Sequence, residues 1–118
     1  MVSTETVDRF CDSQGIEKID LLKVDTQGYE LDVFKGAEKM FRENRVGLFY
    51  FEIILSDMYR NLPNLGDLFS HLRARDFLLV SLYRIYHQKR LASWADAVFV
   101  HRSLADIAVD HSPPSWWR

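Results

Sequence analysis

Apolar and polar positions alternate along this chain with two different periods, and the switches between them mark the elements. Val7, Phe10 and Cys11 share one face of a short helix over Val7–Gln14, with Thr6 placed to cap its start and Gly15 to end it. Ile19 to Val24 is a nearly continuous apolar run, the pattern of a strand buried on both faces. From Tyr29 to about Asn44 the apolar residues Leu31, Phe34, Ala37, Met40 and Phe41 recur at helical spacing, and Gly36 is placed to divide that helix in two. Val46 to Leu55 is aromatic and β-branched apart from Glu52, and is the strongest strand of the sequence. After a loop over Ser56–Pro63, Asn64 and Asp67 signal the start of a second long helix with Leu65, Leu68, Phe69 and Leu72 on one face. Phe77–Leu82 and Ala97–His101 read as strands, and the polar, basic stretch Tyr83–Ser93 between them reads as a hairpin connection.

The order helix, strand, helix, strand, helix, strand, strand predicts an α/β fold. Its expected sheet is mainly parallel, with about four strands, helices on its faces and an antiparallel hairpin at its end. Residues 1–102 form the expected domain, and 103–118, with Pro113-Pro114 and Trp116-Trp117, a poorly ordered tail.

Composition narrows the function classes. The chain has 118 residues, 47% of them hydrophobic, which is enough for one domain with a real core. A formal net charge of −2 disfavours nucleic acid or an anionic membrane as the main partner. No apolar run approaches the ~20 residues that span a bilayer. The first residues carry no basic or hydrophobic region of a secretory signal, so the expected compartment is cytoplasmic. The single Cys11 suits a small buried apolar position, and the four histidines lack metal-ligand spacing, so no metal site is expected.

Candidate chemistry gathers where strands end. In open α/β sheets, ligands sit at the carboxyl ends of the strands, and Asp25 and Glu52 both fall there. Asp25 has two readings. It can cap the following turn through the backbone N–H groups of Gln27 or Gly28, or it can face a site as a proton acceptor. Gly28 serves backbone geometry at that turn, and Glu30 suits the positive end of the next helix. Glu52 shares a face with Tyr50 and Ile54 and interrupts an apolar strand, so it needs a partner or a cleft. Lys23 is either that partner or an edge-facing lysine. The basic and aromatic residues of Tyr83–Ser93 more readily form a solvated hairpin than a nucleic-acid site, and a carbohydrate or acidic-substrate contact is equally open.

The stretch "IDLLKVDTQGYELDVFKGA", followed by "LFYFEI" and later "SWADAVFVH", closely resembles the second half of the FkbM-type methyltransferases. The resemblance implies a Rossmann-like domain that uses S-adenosylmethionine to methylate a hydroxyl on a sugar or natural product. It also implies that the strands here are the fourth to seventh of seven, with the last inserted antiparallel before its predecessor. Asp25 and Glu52 would then be catalytic, with Glu30, Gly28 and Lys23 in support and a small-molecule acceptor as partner. One element of the family pattern is missing. Cofactor binding needs a Gly-rich turn, and no two of the five glycines stand as Gly-x-Gly. The chain is therefore expected to be the C-terminal half of such a domain, inactive by itself. The alternative is a non-catalytic α/β remnant that binds a partner, or pairs with a second copy across the Ile19–Val24 strand edge.

Overall fold

A computed structural model describes residues 2–56 and 63–105. The elements are α1 (Val7–Gln14), β1 (Ile19–Val24), α2 (Glu30–Lys35), α3 (Glu38–Arg42), β2 (Val46–Ile54), α4 (Leu65–Arg73), β3 (Phe77–Gln88) and β4 (Leu91–His101). A short 3-10 turn, Arg102–Leu104, follows. The loop expected over Ser56–Pro63 and the tail from residue 106 lie largely outside the described residues.

Local chemistry fixes the helix ends. The Thr6 hydroxyl accepts a hydrogen bond from Arg9 N at 3.2 Å, and Gly15 closes α1 in the left-handed region at φ 66°. Asn64 and Asp67 form a reciprocal capping box at the start of α4, with bonds of 2.9 and 3.0 Å. Gly36 does divide the middle helix. A Cβ there would lie 3.2 Å from Thr6 Cβ, so the glycine lets the start of α1 approach. The Asp8 carboxylate then accepts from Lys39 N at 2.8 Å and Met40 N at 2.9 Å, so α1 caps the otherwise open start of α3.

The sheet order is β1-β2-β4-β3. β1 and β2 are parallel, whereas β4 is antiparallel to both of its neighbours. The sheet is thus mixed, not mainly parallel as the element order suggested. The expected closing hairpin is present, but β4 inserts between β2 and β3, so its two ladders leave one parallel pair. The hairpin strands are also longer than their apolar segments. β3 runs on to Gln88 and β4 begins at Leu91, so most of Tyr83–Ser93 is strand and only Lys89-Arg90 is turn.

Alternation along β2 sets the core. Phe49, Phe51 and Ile53 are fully buried, while Leu48, Tyr50, Glu52 and Ile54 on the opposite face are half-buried. Phe34 of α2 sits edge-on to Phe49 and Phe51, with ring centroids 5.1 Å away in each case. Phe41 of α3 bridges Phe49 and Phe77, at 4.8 and 5.4 Å. Each such ring contributes about 1.5–3 kcal/mol on burial, and the edge-to-face geometry adds to it. These contacts place α2 and α3 on one face, so the helices expected on both faces are seen on one. His71 of α4 joins this aromatic cluster, stacked 6.3 Å from Phe34. Burial first, and then Arg75, hold its imidazole below its ordinary pKa.

Candidate active site

β1 ends in a tight turn whose conformation needs outside support. Gln27 and Gly28 both have positive φ, 54° and 110°. The support comes from Glu30, which is only 4% exposed. Its two carboxylate oxygens accept from Thr26 N at 3.2 Å and from Gly28 N at 3.0 Å. A buried carboxylate holding two backbone donors is a strong local tie. Asp25 does not cap this turn through its backbone. Its exposed carboxylate accepts from the Gln27 side chain at 3.1 Å and otherwise faces outward.

Glu52 and Asp96 stand directly opposite each other on β2 and β4, on the face that the described helices leave open. Two like charges at a cross-strand pair repel. Accordingly the Glu52 carboxyl is pushed above the usual carboxylate range, first by burial and then by Asp25, Asp96 and Glu30. Tyr50, one step along the same face, has its phenol raised above the ordinary value, first by the neighbouring Asp96 and then by burial. Lys23 is not the ion-pair partner of Glu52. It is exposed, with Nζ 5.8 Å from the centre of the Tyr50 ring. The structure therefore brings together Asp25, Glu52, Asp96, Tyr50 and Lys23. It sets Glu30 and Gly28 beneath them as the turn's framework.

Asp96 was the residue missed. It is the lone acid in "SWADAVFVH", and alternation alone puts it on the face opposite buried Ala95 and Ala97. Its pairing with Glu52 depends on the inserted position of β4.

Two hollows flank this rim. A crevice of about 10 Å³, room for about one water, lies among Gly28, Glu30, Ile54, Pro63 and Leu68. A groove of about 340 Å³ lies on the far side of β1, between Val7, Phe10, Ile16, Ile19 and Leu22, away from the acids. Cys11 borders that groove but is buried, with its thiol pushed above its ordinary pKa first by that burial. His101 is buried rather than at the surface, and its Nδ1 accepts from Ser103 N at 3.2 Å. Among the described residues, no group of three or more His, Cys, Asp or Glu could hold a metal ion. No helix among them is long and apolar enough to cross a membrane.

The comparisons with known proteins bear on this rim. The methyltransferase FkbM domain matches residues 1–79, two-thirds of the chain, including β1, its turn and β2. The chain belongs to the FkbM methyltransferase domain family. No curated protein and no solved structure matches it. The family match ends inside β3, so β4 and the hairpin tip lie beyond it. A methyltransferase implies S-adenosylmethionine, but the residues present do not fit that group. The backbone N–H groups of the glycine turn after β1 are already taken by Glu30, and the strand-end groups are carboxylates and a phenol rather than a cradle of free backbone N–H groups.

The raised Glu52 carboxyl makes a pH prediction. Its folded pKa exceeds its unfolded one, so folding favours the protonated form. Stability from this group is greatest at low pH and declines as pH rises from the unfolded toward the folded value. Glu52→Gln should flatten that decline and be the more stable protein at pH 7 in urea unfolding. An unchanged pH profile would contradict the assignment.

Proposed function

We propose that this FkbM domain chain forms the acceptor side of a hydroxyl-directed methyltransferase site in a Rossmann-like fold. The single observation that supports it is the division of labour at the end of β1. Glu30 satisfies the turn, which leaves the Asp25 carboxylate outward at a strand end, where ligands of open α/β sheets sit. Asp25 takes the proton from the acceptor hydroxyl as general base. Glu52, opposite Asp96 on the same face, hydrogen-bonds a second acceptor hydroxyl. Gly28, Glu30 and Lys23 position this set. The methyl donor is S-adenosylmethionine, the usual donor of methyltransferases, held by residues other than the turn seen here. The acceptor is a small hydroxylated molecule, a sugar or a natural product.

The test uses this chain joined to a matching upstream half of the family domain. Asp25→Asn should lower methyl transfer by about 10²–10⁴-fold with the donor affinity unchanged. Full turnover in that variant would remove Asp25 from the chemistry.

A second reading is favoured by the outer edge of β1. That strand pairs with β2 at a constant register, and its other edge has no partner strand among the described residues. Leu21 is 55% exposed, and Phe10 of α1 48%. The opposite edge strand, β3, is interrupted by three register shifts, which blunt it against pairing. An edge of constant register with an exposed leucine and no such interruption suits a partner strand, including that of a second copy. Sedimentation at micromolar concentration should show a dimer that Leu21→Lys dissociates. A monomer in both proteins would sink this reading.

A further inference from the structure

The β3–β4 hairpin continues past the rest of the sheet. β2 ends at Ile54 opposite Trp94, while β3 and β4 stay paired through His87↔Ala92 and Gln88↔Leu91. This two-stranded ribbon contains no acid from Tyr83 to Ala95 and carries Arg84, Lys89 and Arg90. With a formal charge of −2 on the whole chain, the ribbon is a basic arm on an acidic body.

The backbone at those three cations is unusual. Arg84, Lys89 and Arg90 all lie in the left-handed region, at φ 49°, 49° and 70°. Arg84 sits in a bulge, where two residues of β3 oppose Ala95 alone. Lys89 and Arg90 form the two-residue turn, a conformation that Asn-Gly adopts with least strain. Stability alone would place glycine or asparagine at these positions. Here they hold long cationic side chains, and none of the three is ion-paired among the described residues.

The open face of the ribbon is aromatic. Tyr86 and Trp94 stack at 5.1 Å with planes 19° apart, and Tyr86 is 44% exposed. They stand one pairing step beyond the row Tyr83–Asp96–Glu52, on the same face as the two carboxylates. A flat aromatic surface beside hydrogen-bonding carboxylates suits a hydroxylated ring, which stacks one face and directs hydroxyls to the acids.

We propose that this ribbon is a binding arm for a hydroxylated ring compound bearing an acidic group, a carboxylate or a phosphate. The ring lies on Tyr86 and Trp94 with hydroxyls toward Glu52 and Asp96, and Lys89 and Arg90 at the turn hold the anionic group, with Arg84 in the bulge beside the ring. Arg90 and Trp94 are four residues apart, roughly 13 Å along the strand. A ligand that engages both ends is therefore about two rings long. A nucleic acid fits less well, because its continuous phosphates would run from the cations onto Glu52 and Asp96. The proposal rests on the strand-end acids being the acceptor side, and it names the acceptor's chemistry.

Calorimetric titration of the whole chain at low salt tests it, with four probes. These are an acidic disaccharide with a uronate ring, a disaccharide phosphate, a neutral disaccharide and an oligodeoxythymidylate. One or both acidic sugars should bind at least about 10-fold more tightly than the neutral sugar, the tighter naming the source of the charge. The affinity should fall as salt rises. The double substitution Lys89→Asn, Arg90→Gly relieves the strained turn, so it should raise the melting temperature while weakening the acidic sugar about 10-fold or more. Trp94→Phe should weaken both kinds of sugar. The proposal is overturned if no sugar binds, if neutral and acidic sugars bind alike, if the oligonucleotide binds most tightly, or if the double variant binds unchanged. None of these titrations uses the methyl donor or turnover, so a failed methyl-transfer assay leaves their outcome separate.

Discussion

The carboxylate of Glu30 is the tie on which the rest of this chain depends. A strand that ends at Val24 and turns through Asp25 into a helix needs two residues at positive φ, and the freed N–H groups of that turn must find acceptors. Glu30 supplies them from the first position of α2, where its charge also favours the helix start. One side chain thereby fixes the exit from β1 and the origin of α2. It also fixes the placement of Phe34, one helical turn later, against Phe49 and Phe51. The same tie decides the chemistry, since an acid beneath the turn leaves the acid above it unencumbered.

The mixed sheet explains why that chemistry gathers where it does. Insertion of β4 next to β2 places Asp96 opposite Glu52 and close enough to Tyr50 to raise its phenol. A purely sequential sheet would have put β3 there, and Glu52 would face a different neighbour. Because the aromatic core lies on one face, this polar row stands on the other, where a ligand can reach it.

Much of the fold was legible because its signals are local. Thr6, Gly15 and Asn64 mark helix ends by side chain or backbone preference, and the break at Gly36 follows from one missing Cβ. What escaped was non-local. The length of the hairpin strands carries no hydrophobic signature, since Arg84, His87, Gln88, Lys89 and Arg90 lie in water. Nothing local marks His71 and His101 for burial, yet aromatic neighbours from other elements pack against them. At the site, the sequence pointed to Asp25, Glu52 and Glu30 but left open whether Asp25 caps the turn or faces the site. Whether Asp25 or Glu30 holds the turn depends on side-chain direction, which spacing does not encode.

The central claim is that Glu30, not Asp25, holds the turn and so leaves Asp25 available. Amide hydrogen exchange at Gly28 measures this directly in the parent chain, Glu30→Ala and Asp25→Asn. Loss of the 3.0 Å bond in Glu30→Ala should accelerate exchange at Gly28 strongly, while Asp25→Asn should leave it unchanged. Acceleration in Asp25→Asn with protection retained in Glu30→Ala would contradict the account.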